Sequence, residues 1–176
     1  MISITQKTLQ DLEFNTVLET IASRCNTDIG EAKALAITPF KNKEELLINL
    51  KQTSEYLSSF SNNNAIPNHG FENINYELKF LAIEDSFLEV GSFKKIANLS
   101  ETAITLIQFL KKFEEYYPNL YQKAAQIDVV KLIMQRIDEV VDKFGIIKDN
   151  ASPDLIDIRR NINLVRGKIN QSFGMA

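Results

Sequence analysis

Apolar residues recur along this 176-residue chain at intervals of three and four rather than two, a period that predicts helices throughout. Leu12, Val17, Leu18, Ile21, Ala22 and Cys25 fall on one face after a break near Phe14 and Asn15, where Asn15 can cap a new helix, so Cys25 is expected in the core. Thr27 or Asp28 caps a short helix from Ile29 to Ile37, which ends before Pro39 because the residue preceding a proline is pushed away from helical angles. Asn42 with Glu45 makes a capping-box-like start. About five turns follow, carrying Leu46, Leu50, Thr53, Leu57 and Phe60 on one side. Ser61 to Asn64, with Pro67, Asn68 and Gly70, reads as an exposed, disordered loop that holds His69 as a solvated residue.

Beyond the loop, Ile74, Leu78, Leu81 and Ala82 predict a helix, and Glu84 to Glu89 a connector. A long helix from about Val90 to Tyr116 places Phe93, Ile96, Ala97, Ala103, Ile104, Ile107 and Leu110 along its buried side. Pro118 opens a shorter helix. Asp128 is expected to cap another, which carries Val129, Leu132, Ile133, Ile137 and Val140.

The strongest local signals lie near the end. Gly145 marks a tight turn, Ser152 is a good N-cap, and Pro153 occupies the first helical position, where its missing N–H leaves no bond unmade. Leu155, Ile158, Ile162, Val165 and Ile169 then recur at spacings of 3, 4, 3 and 4, the seam of a helix that packs along another helix. No stop signal follows, so the chain reads as a fragment whose last helix continues. The expected fold is all-α: a multi-helical core over residues 1–151, then the start of a long lever or coiled-coil helix over 152–176.

Composition narrows the function. Hydrophobic residues make up 44% and charged residues 24%, apolar runs are too short to span a bilayer, and the N-terminus lacks a basic segment followed by an apolar one. A cytoplasmic, non-membrane protein is expected. Cys25 is the only cysteine, which excludes an intrachain disulfide. A net charge of −3 argues against a strongly basic nucleic-acid footprint. From Ile158 onward, however, Arg159, Arg160, Arg166 and Lys168 stand with no acidic residue; a solvated or partner-facing helix surface is the preferred reading of these four, and weak phosphate contacts are the alternative.

Catalytic chemistry is not evident. None of the six glycines begins a phosphate-cradling loop, and the single histidine lies in a flexible-looking loop, which gives triad chemistry little support. Asp138, Glu139, Asp142 and Asp149 form the one carboxylate cluster. Asp138 and Asp142 are expected four apart on one helix face, a mutual repulsion of roughly 0.2–0.5 kcal/mol that needs compensation. One version is a hard-metal site with few protein oxygens. The preferred version pairs these acids with Arg159 and Arg160 or with turn amides. Asp138, Asp142, Gly145, Asp149, Ser152, Pro153 and Arg159 then form a structural joint that sets the departure angle of the last helix.

These residues also carry a resemblance. Leu12-Glu13-Phe14, Thr27-x-x-Gly30 with Pro39, and above all Ile137-Asp138-x-x-x-Asp142-x-x-Gly145-x-Ile147-x-Asp149-x-Ala151-Ser152-x-x-Leu155-x-x-Ile158-Arg159 resemble the N-terminal region of the second bacterial MutS subfamily, which lacks the mismatch-recognition domain. The likeness spans nearly the whole chain. It departs between Ala82 and Phe93, with Asp85 where glycine is common and Glu89 at a cap position where Ser or Thr is common.

The resemblance implies an intact protein that is a homodimeric, ATP- and magnesium-dependent ATPase, often with a C-terminal Smr nuclease domain, acting on branched DNA in recombination control or on collided ribosomes. It implies that this segment is a noncatalytic core and lever, holding no cofactor or metal, whose partner is the rest of its own chain: lever, clamp and ATPase domain. A free-standing helical adaptor that recruits a protein through the Leu155-to-Ile169 seam is the alternative.

Overall fold

The computed structural model describes residues 4–128 and 130–174, and among them the chain is all-helical, with no β-strand. The helices are α1 (Gln6–Asp11), α2 (Phe14–Ala22), α3 (Asp28–Leu35), α4 (Lys43–Ser58), α5 (Asn75–Leu81), α6 (Val90–Lys112), α7 (Pro118–Ala124), α8 (Lys131–Val140) and α9 (Pro153–Gly174). Two compact units result, one of Met1–Tyr76 with Asn98–Val129, the other of Glu77–Ala97 with Val130–Ala176. α6 is covalently common to both.

In the first unit, Glu13 takes a left-handed conformation (φ 51°) and ends α1 sharply, so α2 begins at Phe14 and Asn15 lies inside it rather than capping it. Leu18 and Ala22 are buried, whereas Leu12, Val17 and Ile21 remain exposed. Cys25 is half-buried rather than core. Its thiol points back along the helix toward the Ile21 carbonyl, 3.5 Å away. Thr27 caps α3, its hydroxyl accepting from the Gly30 amide at 3.0 Å, and the helix ends at Leu35, short of Ile37.

Asn42 caps α4 by accepting from the Glu44 amide at 2.8 Å. The face that α4 turns toward α7 is the polar one. Glu55 accepts from the Asn119 amide (3.0 Å) and side chain through Oε1, and from the Leu120 amide (2.9 Å) through Oε2. Those amides belong to the first turn of α7, whose N-cap Tyr117 offers no side-chain bond, so a carboxylate from another helix does the capping. Gln52 donates to the Asn119 carbonyl at 3.4 Å, and Ser59, on the same side of the chain, is buried. Leu46, Leu50, Leu57 and Phe60, the one-sided row expected from their spacing, therefore lie exposed.

The core of this unit gathers Leu110, Tyr117 and Ala124, with Ile66, Ile107, Phe109, Phe113, Leu120 and Tyr121 packed against them. Tyr117 is fully buried and its hydroxyl donates to the Asn64 carbonyl at 2.6 Å. That bond lays the polar loop after α4 onto the core. His69 corrects expectation in the same way. It is half-buried, bonded through Nδ1 to the Pro67 carbonyl (3.0 Å), with Nε2 3.3 Å from the Tyr56 hydroxyl. Along α6 the expected side is the inner one: Ile96 and Leu110 are buried, and Phe93, Ala97, Ala103, Ile104 and Ile107 half-buried.

In the second unit, the inward position on α5 is Glu77, 3% exposed and 3.6 Å from Lys95, while Leu78 and Leu81 are exposed. Of the residues that predict this helix, Ile74, just before its start, is buried. Asp85 adopts φ 58°, the left-handed region that glycine enters freely and aspartate tolerates. Asp128 does not cap α8; Val130 does, without a side-chain bond, and Val129 lies outside the described residues. Of the described apolar residues expected on α8, Ile137 is half-buried and Leu132, Ile133 and Val140 are exposed.

Because a charged acceptor holds three donors at the start of α7, Glu55→Ala is expected to destabilise the protein by about 2 kcal/mol, with Glu55→Gln about half as costly. Urea unfolding monitored by circular dichroism measures both, and an unchanged midpoint in Glu55→Ala would contradict the capping role.

Candidate functional site

The turn between α8 and α9 gathers most of the candidate residues. α8 stops at Val140, and the chain forms a small antiparallel hairpin with a bridge between Val141 and Ile147. Asp142 donates its amide to the Ile146 carbonyl (2.8 Å), the Lys148 amide donates to the Val140 carbonyl (2.8 Å), and the Gly145 amide donates to the Asp142 carbonyl (2.9 Å). Gly145 has φ +79°, the left-handed residue that closes a hairpin loop of this length. An added Cβ there would also meet the Lys94 side chain at 3.3 Å.

Asp142 is the organiser of this turn. Its Oδ1 accepts from the amides of both Phe144 and Ile146 at 2.9 Å. Since α8 has already ended, Asp142 does not share a helix face with Asp138, and the expected like-charge pair does not form. The backbone offers Asp142 two donors outside the helix, an alternative that short polar side chains commonly take.

The next turn leads into α9. The Ala151 amide donates to the Lys148 carbonyl at 3.1 Å, and the Ser152 hydroxyl accepts from the Leu155 amide at 3.2 Å, with Pro153 as the first helical residue. Asp149 forms an ion pair with Arg159, in the second turn of α9. Lys148 reaches back to donate to the Asp138 carbonyl in the last turn of α8, where the helix dipole favours a cation. Sequence reasoning missed Lys148; it lies beyond the end of α8 and gives no local periodic signal, and only the hairpin folds it back.

Thus Asp142, Gly145, Asp149, Ser152, Pro153 and Arg159 each hold part of one elbow, whereas Asp138 contributes its carbonyl rather than its carboxylate to it. With Gln135, Glu139, Lys148, Asn150 and Ala151, Asp138 lines an open groove of about 690 Å³ beside the elbow. Glu139 is bonded to Arg136 at 3.1 Å. Arg160, Arg166 and Lys168 are exposed along α9. Among the described residues, no three His, Cys, Asp or Glu side chains lie together in a way that could hold a metal ion. No helix there is long and apolar enough to cross a membrane.

This geometry defines an all-helical module whose terminal helix leaves from a hydrogen-bonded elbow. No protein-family model matches the sequence. The chain is similar to Endonuclease MutS2 of Alkaliphilus oremlandii, 28% identical over 171 residues, which is 94% of this chain and 22% of that protein. It is likewise similar to Endonuclease MutS2 of Symbiobacterium thermophilum, at 25% identity over 94% of this chain and 21% of the relative, and of Staphylococcus aureus, at 26% over 96% and 22%. These similarities support a MutS2-related region. The chain spans about a fifth of the length of the curated relatives it matches.

At Gly145 the backbone conformation, more than the flexible Lys94 side chain, makes substitution costly, so Gly145→Ala is expected to destabilise by about 1–2 kcal/mol. Arg159→Ala should cost less, under about 1 kcal/mol, because Asp149 is 84% exposed. Thermal unfolding of the two variants checks the order, and a larger loss in Arg159→Ala would contradict it.

Proposed function

We propose that the chain is the noncatalytic N-terminal core and lever start of a MutS2-like protein that processes nucleic acid. In this reading residues 1–151 are the core and 152–176 begin the lever, with the elbow setting the angle at which that lever departs. ATP, magnesium and nuclease chemistry belong to other parts of the intact, cytoplasmic, homodimeric protein. Its target is branched DNA in recombination control or, in the manner of some relatives, a collided ribosome.

The observation that carries the reading is α9. Its seam residues Ile158, Ile162, Val165 and Ile169 are exposed on a helix pinned at its base, as expected of a strut whose mate lies elsewhere in the intact protein. Support also comes from the similarity over 94% of this chain to proteins named Endonuclease MutS2. The same exposed seam favours a second reading, a helical adaptor that recruits a partner protein through α9.

Extending the reading frame past residue 176 separates them. A lever requires a continued helical arm and, several hundred residues on, a Gly-x-x-x-x-Gly-Lys-Ser/Thr phosphate loop; an early stop favours the adaptor. The chain by itself, acidic outside α9, should bind a labelled four-way DNA junction no more tightly than roughly 1–100 μM at physiological salt, the range of nonspecific contacts. Fluorescence anisotropy reads this, and nanomolar, salt-sensitive binding would show that Arg159, Arg160, Arg166 and Lys168 form a true nucleic-acid surface.

A further inference from the structure

α4 packs on its polar side and shows its apolar side, an inversion that asks what covers the latter. Counting in sevens along α4 and the turn that follows it, Lys43, Leu50 and Leu57 share one seam position, and Leu46, Thr53 and Phe60 the other. Leu46, Leu50, Leu57 and Phe60 are exposed, Leu50 by 54% and Leu57 by 60%. The flanking positions hold Leu47 and Ser54 on one side and Asn49 and Tyr56 on the other, with no charge among them. Their polar groups are largely satisfied at home: Asn49 donates to the Glu45 carbonyl at 2.9 Å, Thr53 to the Asn49 carbonyl at 2.9 Å, and the Tyr56 hydroxyl meets His69. Covering this seam would leave few donors unpaired.

The order of residues selects the occupant. We infer that α4 docks on α4 of a second copy of this chain, antiparallel, about a two-fold axis between Lys51 and Gln52. In that register Leu46 faces Leu57 of the second copy, Leu50 faces Thr53, and Lys43 faces Phe60, each pair occurring twice. The long-against-short pairing of Leu50 with Thr53 suits interdigitation at the centre, and a lysine over an aromatic ring closes each end. A parallel pair would instead set Lys43 against Lys43 and Phe60 against Phe60, a like-charge clash at one end. Charge thus fixes the antiparallel sense.

Two helices of this length bury on the order of 1,000 Å² together, the low end for a specific interface, so the dimer is reversible, with a dissociation constant in the range of roughly 1–100 μM. This surface lies apart from the elbow and α9 in the sequence, and its test is independent of the nucleic-acid reading.

Sedimentation velocity of the 176-residue chain, from about 1 to 300 μM, should show a monomer–dimer equilibrium spanning that range. Leu50→Glu, an exposed substitution, should keep the helical circular dichroism spectrum and weaken the dimer by at least about 30-fold, since the introduced carboxylate has no partner. Adding Thr53→Lys in the same chain sets each introduced carboxylate against an introduced ammonium group of the other copy, twice in the antiparallel register, and should restore the dimer; in a parallel pair it would not. A wild-type chain monomeric throughout, a dimer indifferent to Leu50→Glu, or a failure of the double variant to recover would each overturn the inference.

Discussion

One carboxylate decides how the first unit presents itself. Glu55 reaches from α4 to the first turn of α7 and takes three donors there, two of them backbone amides that Tyr117 leaves without a side-chain cap. An uncapped helix start inside a packed unit is expensive, and a fixed anion at that end gains from the helix dipole as well as from the bonds. Once Glu55 is committed, the rotation of α4 about its own axis is set. Gln52 and Ser59 must follow it inward, and Leu46, Leu50 and Leu57, on the other side of the helix, must face out. Hydrophobic burial would favour the opposite rotation; the hydrogen-bonded anchor prevails because α7 supplies its donors at a fixed place.

The second unit applies the same logic to the chain's direction. Asp142 could have continued α8, but its carboxylate binds the amides of Phe144 and Ile146 and commits the backbone to a hairpin that Gly145 alone closes without strain. Lys148 is thereby folded back onto the α8 carbonyl of Asp138, and Asp149 is delivered to Arg159. Several bonds, individually modest, act on consecutive residues between Val140 and Leu155. Such a run leaves little freedom where α9 begins, whereas the described residues of the helix beyond Arg160 are exposed.

Local chemistry is legible in the sequence, and rotation is not. The caps at Thr27, Asn42 and Ser152, the Pro118 and Pro153 starts, the Gly145 turn and the inner side of α6 all follow from residues within a few positions of one another. The failures have a common origin. The spacing of Leu46 to Phe60, or of Leu78 and Leu81, tells which residues share a helix but not which way they turn, and here Glu55, Glu77 and their distant partners orient α4 and α5. Glu55 and Asn119 are 64 residues apart, a separation at which no period or capping motif gives warning. The loop around His69 misleads for the same reason: its composition is that of an exposed turn, but Tyr117, 53 residues beyond Asn64, draws it down. At the elbow, Asp142 and Asp149 are recognisable as acids needing partners, but sequence alone does not tell amide from guanidinium.

The two exposed seams that result are not equivalent. Both repeat at three and four residues, yet α4 is flanked by uncharged side chains, whereas α9 carries Arg159 and Arg166 at matching flank positions one heptad apart. Two copies of α9 laid together would bring these arginines into one another's field, and among the described residues Arg159 alone of the two pairs with an acid. α9 is therefore suited to a mate of different sequence, one able to place acids opposite its arginine flank, while α4 lacks the charge that would reject its own image. Flank charge discriminates between partners more sharply than the apolar stripe itself, because leucine accepts nearly any apolar neighbour and an unpaired buried arginine accepts almost none.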